Sequence, residues 1–155
     1  MNKCIIIVFL ILNYTETFGY GLSGYWTGNG KMVLSSGQIY DCVMQLNITH
    51  EVETFTVYKT DFDCGPMHIK NKTITPLKIQ DEQLVYNDQV YGVITENKMI
   101  SDLKTVDGRR QYYFMSLLTD TELTYVDDIE WMGGLRTQIS GKLNLSMIVG
   151  LDLSK

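Results

Sequence analysis

Between residues 135 and 149 apolar and polar side chains alternate. Leu135, Ile139, Leu143, Leu145, Met147 and Val149 share one parity, and Arg136, Gln138, Ser140, Lys142, Asn144 and Ser146 share the other. A period of two sends successive side chains to opposite faces of a strand, so this stretch predicts a β-strand with one dry and one wet face, bent near Gly141. Short runs rich in Tyr, Val, Ile and Thr begin after Gly24, broken about every ten residues. The breaks fall at Ser35-Ser36-Gly37, residues 50–53, Cys64-Gly65-Pro66, Asp81-Glu82, Asn87-Asp88, Glu96-Asn97, Asp107-Gly108, Thr119-Asp120 and Gly133-Gly134. Asn87-Asp88 and Asp107-Gly108 suit tight hairpin turns, because these residues tolerate positive φ. Past residue 20 no stretch holds a helical period, and the nearest to a helix is a turn at 127–132. Nine or so strands with short connections predict a meander, and a sheet of that size closes to remove its edges. The expected fold is all-β: an antiparallel up-and-down β-barrel of about eight to ten strands, with room inside for side chains or one small ligand.

The first residues read differently. Lys3 precedes an apolar run at 5–12, and residues 13–19 are polar and end in Thr17-Phe18-Gly19. A basic start, a short apolar stretch and a small-x-small exit describe a secretory signal peptide over 1–19. The run is far shorter than the roughly 20 residues that cross a bilayer. Cleavage after Gly19 leaves a single domain over 20–155, long enough to build its own core. The expected location is secreted or periplasmic.

Charge narrows the partners. The chain carries a formal net charge of −5 and no lysine- or arginine-rich run. It therefore has no electrostatic reason to seek nucleic acid or an anionic membrane face. Removing 1–19 also removes Cys4 and leaves Cys42 and Cys64, which in an exported chain read as one disulfide, worth about 3 kcal/mol in the chain-entropy picture. A hairpin turning near Val52-Glu53-Thr54 puts Cys42 opposite Cys64, Met44 opposite Phe62 and Ile48 opposite Tyr58. Opposed residues share a face, so the register deduced from the turn agrees with the disulfide. Two cysteines and the scattered His50 and His68 do not make a zinc site.

The first strand opens Gly24-Tyr25-Trp26 and runs through Gly28 and Gly30 to Leu34. A G-x-W at the start of a short antiparallel barrel resembles the calycin group: lipocalins, avidins and fatty-acid-binding proteins. The resemblance implies a lipocalin-like barrel in which Trp26 closes one end and Arg136 or Lys142 from the last strand packs across it. It covers residues 22–149 in layout. The sequence departs from the lipocalin pattern in having only residues 150–155 where a long helix follows the barrel. It lacks the helical pair of fatty-acid-binding proteins, and no biotin-contacting set maps onto it.

Candidate chemistry is sparse. No G-x-S-x-G, H-E-x-x-H or phosphate-cradling glycine loop occurs, so no catalytic residue, cofactor or metal is expected. Asp127-Asp128-Ile129-Glu130 has the oxygen ligands Ca²⁺ prefers, but lacks the rest of a coordination set and reads as a solvated loop or helix start. Asn47-Ile48-Thr49, Asn71-Lys72-Thr73 and Asn144-Leu145-Ser146 match the glycosylation acceptor. The chain has ten Tyr and eight Met. Tyr joins an apolar body to a polar tip and Met fits irregular shapes. If Tyr58, Tyr91, Tyr113, Phe114 and Tyr125 line the barrel, they suit a small apolar or aromatic ligand; otherwise they fill the barrel or decorate its outside.

Three functions follow. The first is a non-enzymatic binding protein for a small hydrophobic or aromatic molecule. The second is a protein-interaction module or inhibitor with a solid core. The third is a small outer-membrane barrel, suggested by the alternating last strand. Against the third, Lys59, Asp61 and Asp63 share a parity with Phe55 and Val57 and would interrupt a lipid-facing band.

Overall fold

A computed structural model describes residues 21–72, 76–104 and 108–147. The expected signal peptide at 1–19 lies outside them, as does Val149. The described chain is built of strands: β1 (Gly24–Leu34), β2 (Ile39–His50), β3 (Thr54–Cys64), β4 (Met67–Lys72), β5 (Leu77–Gln80), β6 (Gln83–Tyr86), β7 (Gln89–Thr95), β8 (Lys98–Lys104), β9 (Arg110–Thr119), β10 (Glu122–Glu130) and β11 (Arg136–Met147). Sequence neighbours pair antiparallel around the sheet except at β4 and β5, where β3 pairs with β5 directly, and β1 pairs with β11. Ten strands thus close an up-and-down barrel, and β4 is an extra strand hung on β3.

The turns follow their local chemistry. Asn87 and Asp88 both sit at positive φ, as do Asp81 and Glu82, the backbone of tight hairpins. Gly37 (φ 85°) lets the β1–β2 turn close. The region expected to turn helically is instead strand: Asp127 to Glu130 complete β10, and a tight turn follows, with Trp131 N–H donating to Leu135 O at 2.7 Å. The alternating ladder with β11 satisfies these backbone groups, which overrides a weak helical preference.

Cys42 and Cys64 form a disulfide, and Met44 pairs with Phe62. The predicted pairing of Ile48 with Tyr58 is not made. Asn47 pairs with Lys59 but Ile48 with Val57, so Tyr58 is the extra residue of a β-bulge. The bulge reverses the phase of β3: Phe55 and Val57 face inward below it, and Phe62 and Cys64 above it.

Trp26, Met44, Leu46, Phe62, Leu123 and Leu143 are fully buried inside the barrel. On β1 and β11 glycines make the room. A Cβ on Gly30 would stand 2.4 Å from Met44 Sδ, and one on Gly141 2.8 Å from the same sulfur. Gly141 therefore marks a close approach of two strands around Met44. Ile139 and Leu143 lie on the dry face of β11 as the alternation predicts, but Leu135 falls in the turn and is exposed.

Candidate ligand cavity

The wall of the barrel is uneven. β1, β2, β3 and β11 have eleven or twelve residues, whereas β5 and β6 have four each and β7 and β8 seven each. β4 pairs only with β3 along residues 59–64, and β5 meets β3 only at Thr54 and Phe55. Where the wall is short the side chains do not fill the interior, and a cavity of about 380 Å³ remains. That volume is in the range that holds a small organic molecule.

β3 contributes Phe55, Val57 and Thr60 to its lining, and β4 contributes Asn71 and Lys72. Leu84, Met99, Leu103 and Met115 give it apolar surface from β6, β8 and β9. Tyr91, Tyr113 and Tyr125 give it rings with polar tips. Ser101 Oγ–H donates to Tyr91 O at 2.5 Å, tying β8 to β7 beside the cavity. Tyr125 is further held by an edge-to-face contact with Phe62, ring centroids 5.3 Å apart.

Three of the five expected lining residues, Tyr91, Tyr113 and Tyr125, thus stand together. Tyr58 and Phe114 stand elsewhere. Tyr58 is thrown outward by the bulge and is 41% exposed. Phe114 alternates with Tyr113 and Met115 on β9 and faces outward, with Lys98 Nζ 5.6 Å from its ring. Arg136 and Lys142 do not pack across Trp26 either. Both lie on the outer face of β11, where Arg136 pairs with Asp128 and Lys142 with Glu122. The Trp26 indole N–H instead donates to Leu22 O at 3.0 Å.

Strand alternation splits the acidic run that could have suggested calcium. Asp127 points inward, in phase with Leu123 and Tyr125, and is buried. Asp128 points outward to a two-pronged pair with Arg136. The two neighbours titrate in opposite directions. Burial pushes the Asp127 carboxyl up to about 6, against the Gln111 hydrogen bond that lowers it. The hydrogen bond from Arg136 holds Asp128 below the usual carboxylate range. Gln111 Nε2–H₂ donates to Asp127 Oδ1 at 3.3 Å and to the Tyr113 hydroxyl. Burial, then the charge of Asp127, pushes the Tyr113 and Tyr125 phenols upward, so both stay protonated at neutral pH. Among the described residues no three His, Cys, Asp or Glu side chains converge as a metal site would require.

Gln111 was not singled out from the sequence, and Asp127 was read only as part of a solvated acidic run, whereas it is buried. The signal for Asp127 was its parity with Leu123 and Tyr125, which places it on the dry face. Gln111 had the matching signal, in phase with Tyr113 and Met115.

A second concavity lies outside the barrel, between Leu34 to Ser36 and the β10–β11 turn. Trp131, Met132 and Leu135 are exposed there, and the Arg109 guanidinium lies 5.5 Å from the Trp131 ring centre.

No protein-family model matches the chain, and no curated protein matches it. Among solved structures it is similar to a redesigned β-barrel at 16% identity and a TM-score of 0.37, over 79% of this chain and 90% of that one.

Proposed function

We propose that this is an exported, non-enzymatic binding protein that holds one small, partly apolar molecule inside its barrel. The observation that carries the proposal is the roughly 380 Å³ interior cavity, apolar over most of its lining with a few convergent polar groups. The disulfide is compatible with an oxidising compartment and supports a secreted or periplasmic location. A lipocalin-like kinship draws support from the Gly24-Tyr25-Trp26 opening and the up-and-down order; the outward Arg136 and Lys142 speak against it. The outer-membrane alternative is disfavoured, because the buried interior is apolar and the paired charges lie outside, the reverse of a membrane barrel.

Native mass spectrometry of protein purified from its own host tests the binding role. The expected result is a small molecule that travels with the wild-type chain and is lost from Thr60→Phe, which puts a ring into the cavity, while both proteins melt cooperatively. Wild-type protein of bare-chain mass, with no thermal shift from any member of a small-molecule library, would overturn it.

A second function is favoured by one observation. Trp131, Met132 and Leu135 form an exposed apolar tip beside Arg109, and Trp, Met and Arg are enriched at protein interfaces. This end of the barrel would serve an interaction module, and loss of partner capture on Trp131→Ala with unchanged small-molecule binding would favour it.

A further inference from the structure

Given the binding role proposed above, we propose that the ligand is a cation, an amine or quaternary ammonium, seated against the rings of Tyr91, Tyr113 and Tyr125 with its charge toward Asp127. Four aromatic side chains, these three and Phe55, line a single small cavity. The faces of such rings attract a positive charge, more strongly where water is excluded.

Asp127 stands behind this wall. It pairs across the ladder with Tyr113 and follows Tyr125 on the inward face of β10. It is 8% exposed, and its hydrogen-bond partner is the neutral amide of Gln111. Among the described residues no lysine, arginine or histidine pairs with it. The nearest acidic neighbour, Asp128, has drawn Arg136 to the other side of the sheet. A buried carboxylate is costly unless a counter-charge or several donors meet it. A cation in the cavity supplies that counter-charge. Gln111 links the carboxylate to the Tyr113 hydroxyl, so the negative end of the barrel interior is joined to the cavity wall.

The alternative, an anion, has one feature in its favour. Lys72 is in the lining, but it is exposed on the edge strand β4 where water screens it. No arginine lines the cavity, and the interior carboxylate repels an anion.

Three probes of one size separate the cases: 2-phenylethylamine, 2-phenylethanol and phenylacetate, titrated calorimetrically into the mature chain and into Asp127→Asn at pH 7.5. The expected result is that the ammonium binds about ten- to a hundredfold tighter than the alcohol in wild type, with the difference gone in Asp127→Asn and alcohol binding unchanged there. Asp127→Asn keeps the side-chain shape and removes a buried charge, so folding is retained. If the alcohol or phenylacetate binds wild type as well as the ammonium does, the cavity binds but not by charge, and the cation inference falls while the binding role stands. If all three probes fail to bind, and Thr60→Phe changes nothing, both fall together.

Discussion

The two halves of this barrel share one sheet and differ in what fills it. On the side of β1, β2 and β11, long strands pair over nine or ten residues and enclose Trp26, Met44 and Leu46 with no exposure. Gly30 and Gly141 give up their own side chains so that Met44 can enter. On the side of β5 to β8, pairings run over three or four residues, and Thr60, Ser101 and three tyrosines face a space they do not fill. Matched strand length and small inner residues produce a solid core; short strands and an edge strand leave a hollow. A hollow gives up packing contacts, so the solid half carries more of the stability.

The largest expected contrast comes from truncation. Trp26→Ala should destabilise by about 3–5 kcal/mol, as for large aromatic deletions in well-packed cores. Leu103→Ala, at the partly exposed rim of the cavity, should cost about 1 kcal/mol, because its side chain already lacks neighbours on one side. Urea unfolding of both variants checks this, and equal losses would mean the halves are packed alike.

The disulfide sits in the solid half and ties β2 to β3, at a sequence separation of 22. Replacing both by Ala should cost about 3 kcal/mol through the freed unfolded chain. The loss should leave probe binding intact at temperatures where the variant is folded, since neither cysteine lines the cavity.

Much of the fold was legible in the sequence, the contrast between its halves was not, and the reasons are physical. The alternation of Ile139 and Leu143 with polar neighbours marked β11, and Asn87-Asp88 marked a hairpin through its tolerance of positive φ. The Cys42–Cys64 pair and the Met44–Phe62 register agreed only beyond the bulge, because its extra residue offsets a turn centred between Val52 and Glu53 rather than on Glu53. Tyr58 was misplaced because a bulge inserts one residue without an apolar signature of its own; the change of parity from Phe55 and Val57 to Phe62 and Cys64 is its trace. Phe114 was grouped with Tyr113 although adjacent strand residues face opposite ways. The cavity left no mark, since it arises from strand lengths and from β4 pairing on one side only, which are properties of the closed sheet.

Titration sharpens the comparison at the next scale. His50, at the end of β2 with an edge-to-face contact to Phe55, is held neutral by burial, its pKa lowered from 6.5 to about 4. The unfolded chain binds a proton that the fold resists, so His50 removes stability as pH falls from 6.5 toward 4. Asp127 acts in the reverse sense. Its pKa is raised from 3.8 to about 6, so the fold holds a proton that the unfolded chain releases, and stability is lost as pH rises from 3.8 through 6. Each effect is on the order of 3 kcal/mol by the linkage relation. Between pH 4 and 6 the two slopes oppose, and these groups leave wild-type stability nearly flat. Asp127→Asn should uncover a fall in stability toward acid, and His50→Gln a fall toward neutral pH. Denaturation midpoints at half-unit pH steps check both, and identical slopes in the two variants would refute the assignment.

The smallest effect tests the comparison most directly, because it asks for opposite signs from similar changes. Gly30→Ala adds one methyl to the solid half. That carbon would stand 2.3 Å from Ser140 O and 2.4 Å from Met44 Sδ. The sulfur is the end of a flexible chain and can shift, but the carbonyl belongs to the paired backbone of β11 and cannot. Overpacking of this kind should cost about 1–3 kcal/mol. Thr60→Ile adds carbon in the hollow half, where Thr60 faces the cavity. The new atoms face the cavity and gain dispersion contacts that the empty space withheld. The expected outcome is neutral to about 1 kcal/mol stabilising, with weaker binding of the aromatic probes because the added carbon occupies their space. A stabilised Thr60→Ile that binds the probes undiminished would place the proposed binding site away from β3.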